Sequence, residues 1–311
     1  CGYVGASMLM LFVALRILHG GAFGVATVCG STLVSQIVPR GHLGEGLGIY
    51  GLANTLSMCL GPMFSVWAHQ RFSYNQIFVI LATFAVGGVL MASMVNIPPR
   101  TVRVSRRISA DSFVLHNGWW MSLTQCLSYI PYGATMAYVA VYAGQLGLSD
   151  FSGIYFTLMA VGLGTSRPLS GRLADRTVAG SPNAPAIRLT IGGIILCITT
   201  FLLLGSIGFI EARAWMLLVI AFMQGITYGV LHPTFNTLFV RLAPDEHRGT
   251  ANSMCQTSND VGNGLGMLIG SSVAVLAGGY AELYLMGALS AACALVVFIT
   301  KAKPLFDASR H

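Results

Sequence analysis

Nine stretches of this chain are apolar for long enough to cross a lipid bilayer, and that feature leaves few folds open. They run approximately Ser7 to Val34, Leu47 to Trp67, Ile77 to Val95, Val114 to Ala143, Gly153 to Leu169, Leu189 to Ile210, Trp215 to Phe239, Gly249 to Ala277 and Leu283 to Thr300. About 20 apolar residues suffice, because the hydrocarbon core is about 30 Å thick and a helix rises 1.5 Å per residue. Inside lipid each backbone polar group needs a partner within the protein, so such runs read as helices. With 55% of residues hydrophobic and 9% charged, a pair of soluble domains is excluded. The 37 glycines suit the same setting, since small residues let membrane helices approach closely. The expected fold class is an all-α membrane protein of nine transmembrane helices, with the lipid bilayer as its first partner.

The basic residues mark one side of that bilayer. Counted by alternate loops, Arg40, Arg100, Arg103, Arg106, Arg107, Arg172, Arg176, Arg188, Arg241, Arg248, Lys301, Lys303 and Arg310 share a side, and Arg71 and Arg213 face the other. Positively charged loops resist translocation, so the first group is expected to be cytoplasmic, with the C-terminus inside and the N-terminus outside. The net charge of +7 is accounted for by this asymmetry, and nucleic acid is not an expected partner. The seven cysteines, Cys1, Cys29, Cys59, Cys126, Cys197, Cys255 and Cys293, are scattered singly and read as packing residues. His19, His116 and His232 lack metal-ligand spacing and read as satisfied buried histidines. No metal or cofactor is expected.

An odd number of spans, an outside N-terminus and a first residue of Cys lead us to expect that further chain precedes this sequence. Asn96 to Ser112 is a basic, Pro-containing polar stretch; residues 96–112 are therefore expected to link a first part, residues 1–95, to a second, residues 113–311. A shift of 205 residues superimposes Gly20 on Gly225, Gly24 on Gly229, Pro39 on Pro244, His42 on His247, Gly44 on Gly249, Asn54 on Asn259 and Gly61 on Gly266. The first two helices thus repeat the seventh and eighth. By the same shift the expected upstream segment is roughly ninety residues, room for three spans of about 20 apolar residues each.

Several local patterns go further. The first helix carries Arg16-Ile-Leu-His19-Gly20-Gly21, an arginine followed by a glycine-rich run. The second reads Gly48-x8-Ser57-x3-Gly61-Pro62-x2-Ser65-Val66. After the fifth come Ser166-Arg167-Pro168-Leu169-Ser170-Gly171-Arg172-Leu173-Ala174-Asp175-Arg176. With the repeat and the basic linker, these resemble the major facilitator superfamily of secondary transporters, built from two parallel six-helix halves. The likeness covers the whole chain and implies helices 4 to 12 of the twelve-helix fold, monomeric and without an upstream segment that would supply the first three.

That resemblance implies roles. Arg16 matches an arginine of the fourth family helix that faces the cavity and is associated with proton coupling; the plainer reading is an arginine snorkelling to the interface. Gly48, Ser57, Gly61 and Pro62 match most of the pattern of antiporter helices, with serine or valine replacing three glycines, and favour efflux. Gly171, Arg172, Asp175 and Arg176 match the signature cytoplasmic loop, a latch between helix ends. There Gly171 is expected to permit a tight turn, and Asp175 to cap the next helix and pair with an arginine.

Asp260 is the one carboxylate clearly inside an apolar span, and an acid there is a candidate for proton exchange. A hydrogen-bonded packing role is the equal alternative. Asn117, Gln125, Tyr129, Tyr132, Gln224, Tyr228, Asn236 and Gln256 are candidates to line a cavity for an amphipathic organic substrate. The expected function is proton-coupled efflux of a small organic molecule in a bacterial inner membrane. Uptake symport of a sugar or organic anion is the alternative, and an embedded enzyme or a channel is remote. An enzyme would need a nucleophile with a positioned base or a metal motif, and none is present.

Overall fold

The computed structural model describes residues 9–39, 42–69, 71–95, 115, 118–175, 183–244 and 247–308. Side chains of residues 9, 54–56, 58–63, 65–67, 69, 277, 307 and 308 lie outside that description, as does the whole 96–112 linker. Nine long helices appear among the described residues: α1 Leu9–Ile37, α2 Leu43–His69, α3 Tyr74–Ser93, α4 Trp119–Gln145, α5 Ser152–Asp175, α6 Ala184–Ser206, α7 Ala214–Leu242, α8 Arg248–Ala277 and α9 Tyr280–Val297. They match the nine expected spans. The repeat is visible in the helix ends: Leu9 and Ala214, Ile37 and Leu242, and Leu43 and Arg248 are each 205 residues apart.

Five helices, α1, α3, α6, α7 and α9, are apolar enough to cross a membrane by composition and length. The other four, α2, α4, α5 and α8, are richer in glycine and hydroxyl side chains, and they pack in two pairs, α2 on α5 and α4 on α8. Helices that face other helices need small surfaces more than apolar ones. On α8, Gly262, Gly266 and Gly270 form one stripe against α4. A Cβ at Gly262 would stand 2.5 Å from the Cys126 carbonyl oxygen, and one at Gly266 would overlap the Ile130 carbonyl. Gly133 of α4 answers from the other side, against the Asn263 backbone.

Prolines interrupt α4 and α7, and each leaves the carbonyl four residues earlier without its helical N–H. Neighbouring helices supply the missing donor. The Ser290 hydroxyl donates to the Leu127 carbonyl, freed by Pro131, at 2.8 Å. The Ser170 hydroxyl donates to the Gly229 carbonyl, freed by Pro233, at 3.1 Å. At these two prolines the freed carbonyl is thereby satisfied within the apolar interior.

Two expectations need correction. The segment around Gly171 is not a loop, because α5 continues six residues past its apolar stretch to Asp175. Gly171 accordingly makes no tight turn. It allows contact with α2, since a Cβ there would overlap the Gly44 carbonyl.

Candidate functional site

At the basic end of the bundle the last turn of α5 meets the first turn of α2, and Asp175 is the hub. Its side chain is 6% exposed. One carboxylate oxygen accepts the Glu45 backbone N–H at 2.8 Å, and the Gly44 N–H donates to the same group. The other lies 3.3 Å from an Arg241 guanidinium nitrogen of α7. Asp175 thus caps α2, a helix from earlier in the chain, instead of the helix that follows it. An acid over an N-terminus satisfies N–H groups that have no helical partner and suits the helix dipole.

Around this hub, Arg172 pairs with Glu45 at 2.7 Å and His42 approaches the same acid at 3.5 Å. A Cβ on Gly44 would sit 2.6 Å from the Gly171 carbonyl, and one on Gly48 would sit 2.8 Å from the Arg167 carbonyl. Gly44, Gly48 and Gly171 therefore permit backbone-to-backbone approach along the α2–α5 seam. Arg176 lies outside the described residues.

Asp175 and Glu45 stand outside the apolar spans, which end at Leu169 and begin at Leu47. Burial raises the Asp175 carboxyl, opposed by the Glu45 and Gly44 N–H donors and by Arg241. Glu45 is held below its usual value by its bond to Arg172. The two have opposite consequences. The Glu45 contribution is present above the ordinary carboxylate range and is lost as pH falls through the depressed value. Protonation of Asp175 relieves its burial and favours the joined arrangement as pH falls.

A second seam joins α1 to α8. Arg248 donates to the Ser35 carbonyl, and the Asn252 amide donates to the Ser35 hydroxyl at 3.2 Å. Both seams lie at the basic end and join residues before the 96–112 segment to residues after it. We expect Asp175→Leu to weaken this end by about 2–3 kcal/mol, because it removes the acceptor of the Glu45 and Gly44 N–H groups and the oxygen facing Arg241. Spin labels on Pro39 and Pro244, both exposed, would report longer, broader distances in that variant. Unchanged distances would show that Asp175 does not hold the ends together.

The expected cavity residues divide. Gln125, Tyr129, Tyr132, Gln224, Tyr228 and Asn236 are all buried, in the interior of α4 and α7. The Tyr129, Tyr132 and Tyr228 rings form a triangle with centroids 5.9, 5.3 and 4.4 Å apart. Gln224 accepts from the Tyr155 hydroxyl at 2.6 Å. The Gln224 amide nitrogen, the Asn236 carbonyl and the Tyr129 hydroxyl have no hydrogen-bond partner, an unusual density of unmet polar groups for a packed interior. Asn117 lies outside the described residues.

Asp260 and Gln256 lie on α8, with the Gln256 amide donating to the Asp260 carboxylate at 3.2 Å. Asp260 is exposed, and nothing would meet a Cβ added at Gly264 one turn on. Arg16 is exposed on α1, its guanidinium carbon 5.3 Å from the Phe12 ring centroid. Ser57 bonds back to the Ala53 carbonyl of its own helix. Gly61 and Pro62 lie in α2 with their side chains outside the description.

Sequence reasoning passed over Arg167 as part of a loop pattern. It lies in α5, is 5% exposed, and donates across the seam to the Gly51 carbonyl of α2. The available signal was arithmetic: of the 17 Lys and Arg, those left after the loops are counted are Arg16 and Arg167.

Comparison with known proteins agrees with this architecture. The family model described as Major Facilitator Superfamily matches residues 1–210 and 188–309. The multidrug resistance protein MdtG of Dickeya zeae is 24% identical over 264 residues, covering 81% of this chain and 62% of the relative. The inner membrane transport protein YdhP of Escherichia coli is 23% identical over 292 residues, covering 92% and 70%. The chain spans less than two thirds of the length of the MdtG relatives it matches. Among solved structures, the human organic anion transporter TETRAN superposes with a TM-score of 0.72 at 16% identity, covering 95% of this chain and 72% of that one. The Escherichia coli fucose:proton symporter FucP gives 0.68 at 13%, covering 94% and 77%.

Proposed function

The chain belongs to the major facilitator superfamily, and from that premise we propose that it forms most of a multi-pass transporter that exports a small organic molecule in exchange for protons. The carrying observation is the pair of seams at the basic end, where glycine contacts and the Asp175 hub join two groups of helices. Such a joint suits alternating access, in which one group rocks against the other around a central site. Residues 1–95 are then the later part of one half, 96–112 the linker, and 113–311 the other half. The basic end is cytoplasmic by its charge, so the joined seams correspond to a site closed toward the cytoplasm. A bacterial inner membrane and a monomer complete the proposal.

Export is favoured by two things: the Gly48, Ser57, Gly61, Pro62 pattern of α2, and relatives named as multidrug resistance proteins. Asp260 is proposed to carry the coupling proton, Arg16 to take part in the coupling through its fixed positive charge, and the tyrosine triangle with Gln125, Gln224 and Asn236 to face the substrate.

The test is reconstitution of the intact gene product in proteoliposomes carrying a pH-sensitive dye in the lumen. Adding a transported compound should move protons opposite to it. Movement in the same direction would establish uptake symport and reject export.

A further inference from the structure

Arg167 is not one of the ion pairs around Asp175 and has no part in the proposed proton coupling, yet it is the most confined cation in the described interior. It stands eight residues before Asp175, about 12 Å along α5 from the basic end at 1.5 Å per residue. The guanidinium keeps its charge in any protein environment. One nitrogen donates to the Gly51 carbonyl, while Nε has no hydrogen-bond partner. Among the described residues no carboxylate pairs with it. The groups within electrostatic reach are Tyr129, Tyr132 and His232, and none carries negative charge near neutral pH. The Tyr129 hydroxyl, on a side chain 3% exposed, is also without a partner.

A buried cation answered by a single neutral carbonyl is costly, because desolvation is not offset by an opposite charge. Two buried groups able to donate, each with an unused position, call for an acceptor with several lone pairs and negative charge. We infer that Arg167 and Tyr129 form the recognition site for a carboxylate or comparable oxyanion on an amphipathic organic substrate. The inference rests on the transporter reading and adds to it the substrate class.

The seam supplies the timing. With α2 against α5, the Gly51 carbonyl occupies one guanidinium nitrogen. When the seam parts, that carbonyl leaves with α2, and the fork of N–H donors is open to a carboxylate in the bidentate arrangement arginine favours. The Tyr129, Tyr132 and Tyr228 rings then offer an apolar wall for the rest of the molecule. A cationic substrate would meet Arg167 with like charge.

A matched series separates charge from shape: 2-naphthoate, its uncharged amide 2-naphthamide, and 2-naphthylmethylammonium, each titrated against the intact gene product in uncharged detergent by tryptophan fluorescence. The wild-type protein is expected to bind naphthoate at least about tenfold more tightly than the amide, and the ammonium compound most weakly. Arg167→Gln should erase the preference for naphthoate without weakening the amide, Arg167→Lys should keep part of it, and Tyr129→Phe should reduce it severalfold.

Equal wild-type affinity for naphthoate and the amide overturns the inference, and this comparison stands even if Arg167→Gln does not fold. A preference that survives in folded Arg167→Gln overturns it as well. The proton-flux assay on the same compounds keeps the two readings apart. Flux driven by the amide or the ammonium compound, with no naphthoate preference, rejects the anion site and leaves the transporter. A naphthoate preference without flux for any of the three rejects the transporter and leaves the binding site.

Discussion

Gly266→Val is expected to unfold the α4–α8 pair, whereas Gly264→Val, two residues away on the same helix, is expected to leave it intact. A side chain at 266 would overlap the Ile130 carbonyl and come within 2.7 Å of the Ala134 nitrogen. Both are helical backbone, so neither can rotate aside, and the helices must separate. Separation also loosens the contacts at Gly262, Gly270 and Gly133, which depend on the same spacing. Overpacking of this kind costs about 1–3 kcal/mol, a large share of a marginal total. Gly264 faces open space and serves as the control for helix propensity and β-branching. Thermal unfolding in detergent, followed by aggregation onset, should separate the two variants clearly. If they behave alike, the glycine stripe is not what sets the approach of α4 to α8.

Asp260→Asn is expected to abolish proton-driven transport while leaving the protein folded. Asp260 is the thirteenth residue of α8, about 18 Å along the helix from its basic end, and so near the middle of a core about 30 Å thick. A carboxylate at that depth with one amide donor is costly when ionised, which favours taking up and giving up a proton during the cycle. Asparagine preserves size and can still accept from Gln256, so packing should survive. It cannot ionise, and uphill transport should fall at least about tenfold, or about 1.4 kcal/mol in the driving of the cycle. Downhill substrate exchange in the same vesicles should continue. Undiminished uphill transport by Asp260→Asn would place the coupling proton on another group.

The two variants probe different levels of what could be read in the residues. Gly262, Gly266 and Gly270 are legible as a small-residue run because their spacing of four puts them on one face of any helix. What they touch is not legible, since nothing in a spacing says that Gly133 comes from α4 to meet them. Asp260 is legible as an acid in an apolar run, because charge in lipid is rare enough to stand out. Its place on an exposed face is a matter of helix rotation. Arg167 shows the reverse case. Its charge was in plain view, but it lay near the end of an apolar stretch, where a snorkelling or loop arginine is the ordinary expectation.

The fold class, the nine spans, the repeat at 205 residues and the location of the basic end were determined by the sequence alone. Each depends on a one-dimensional property: hydropathy along a segment, charge between segments, or identity at a fixed shift. Which helices pair, that α5 runs on to Asp175 so that its last turn caps α2, and that Arg167 is buried against Gly51 were decided only in three dimensions. Those contacts join residues more than 100 positions apart. In an apolar medium many helix faces are nearly equal in hydropathy, so partner choice falls to the fit of small surfaces and to the few polar groups that must find one another.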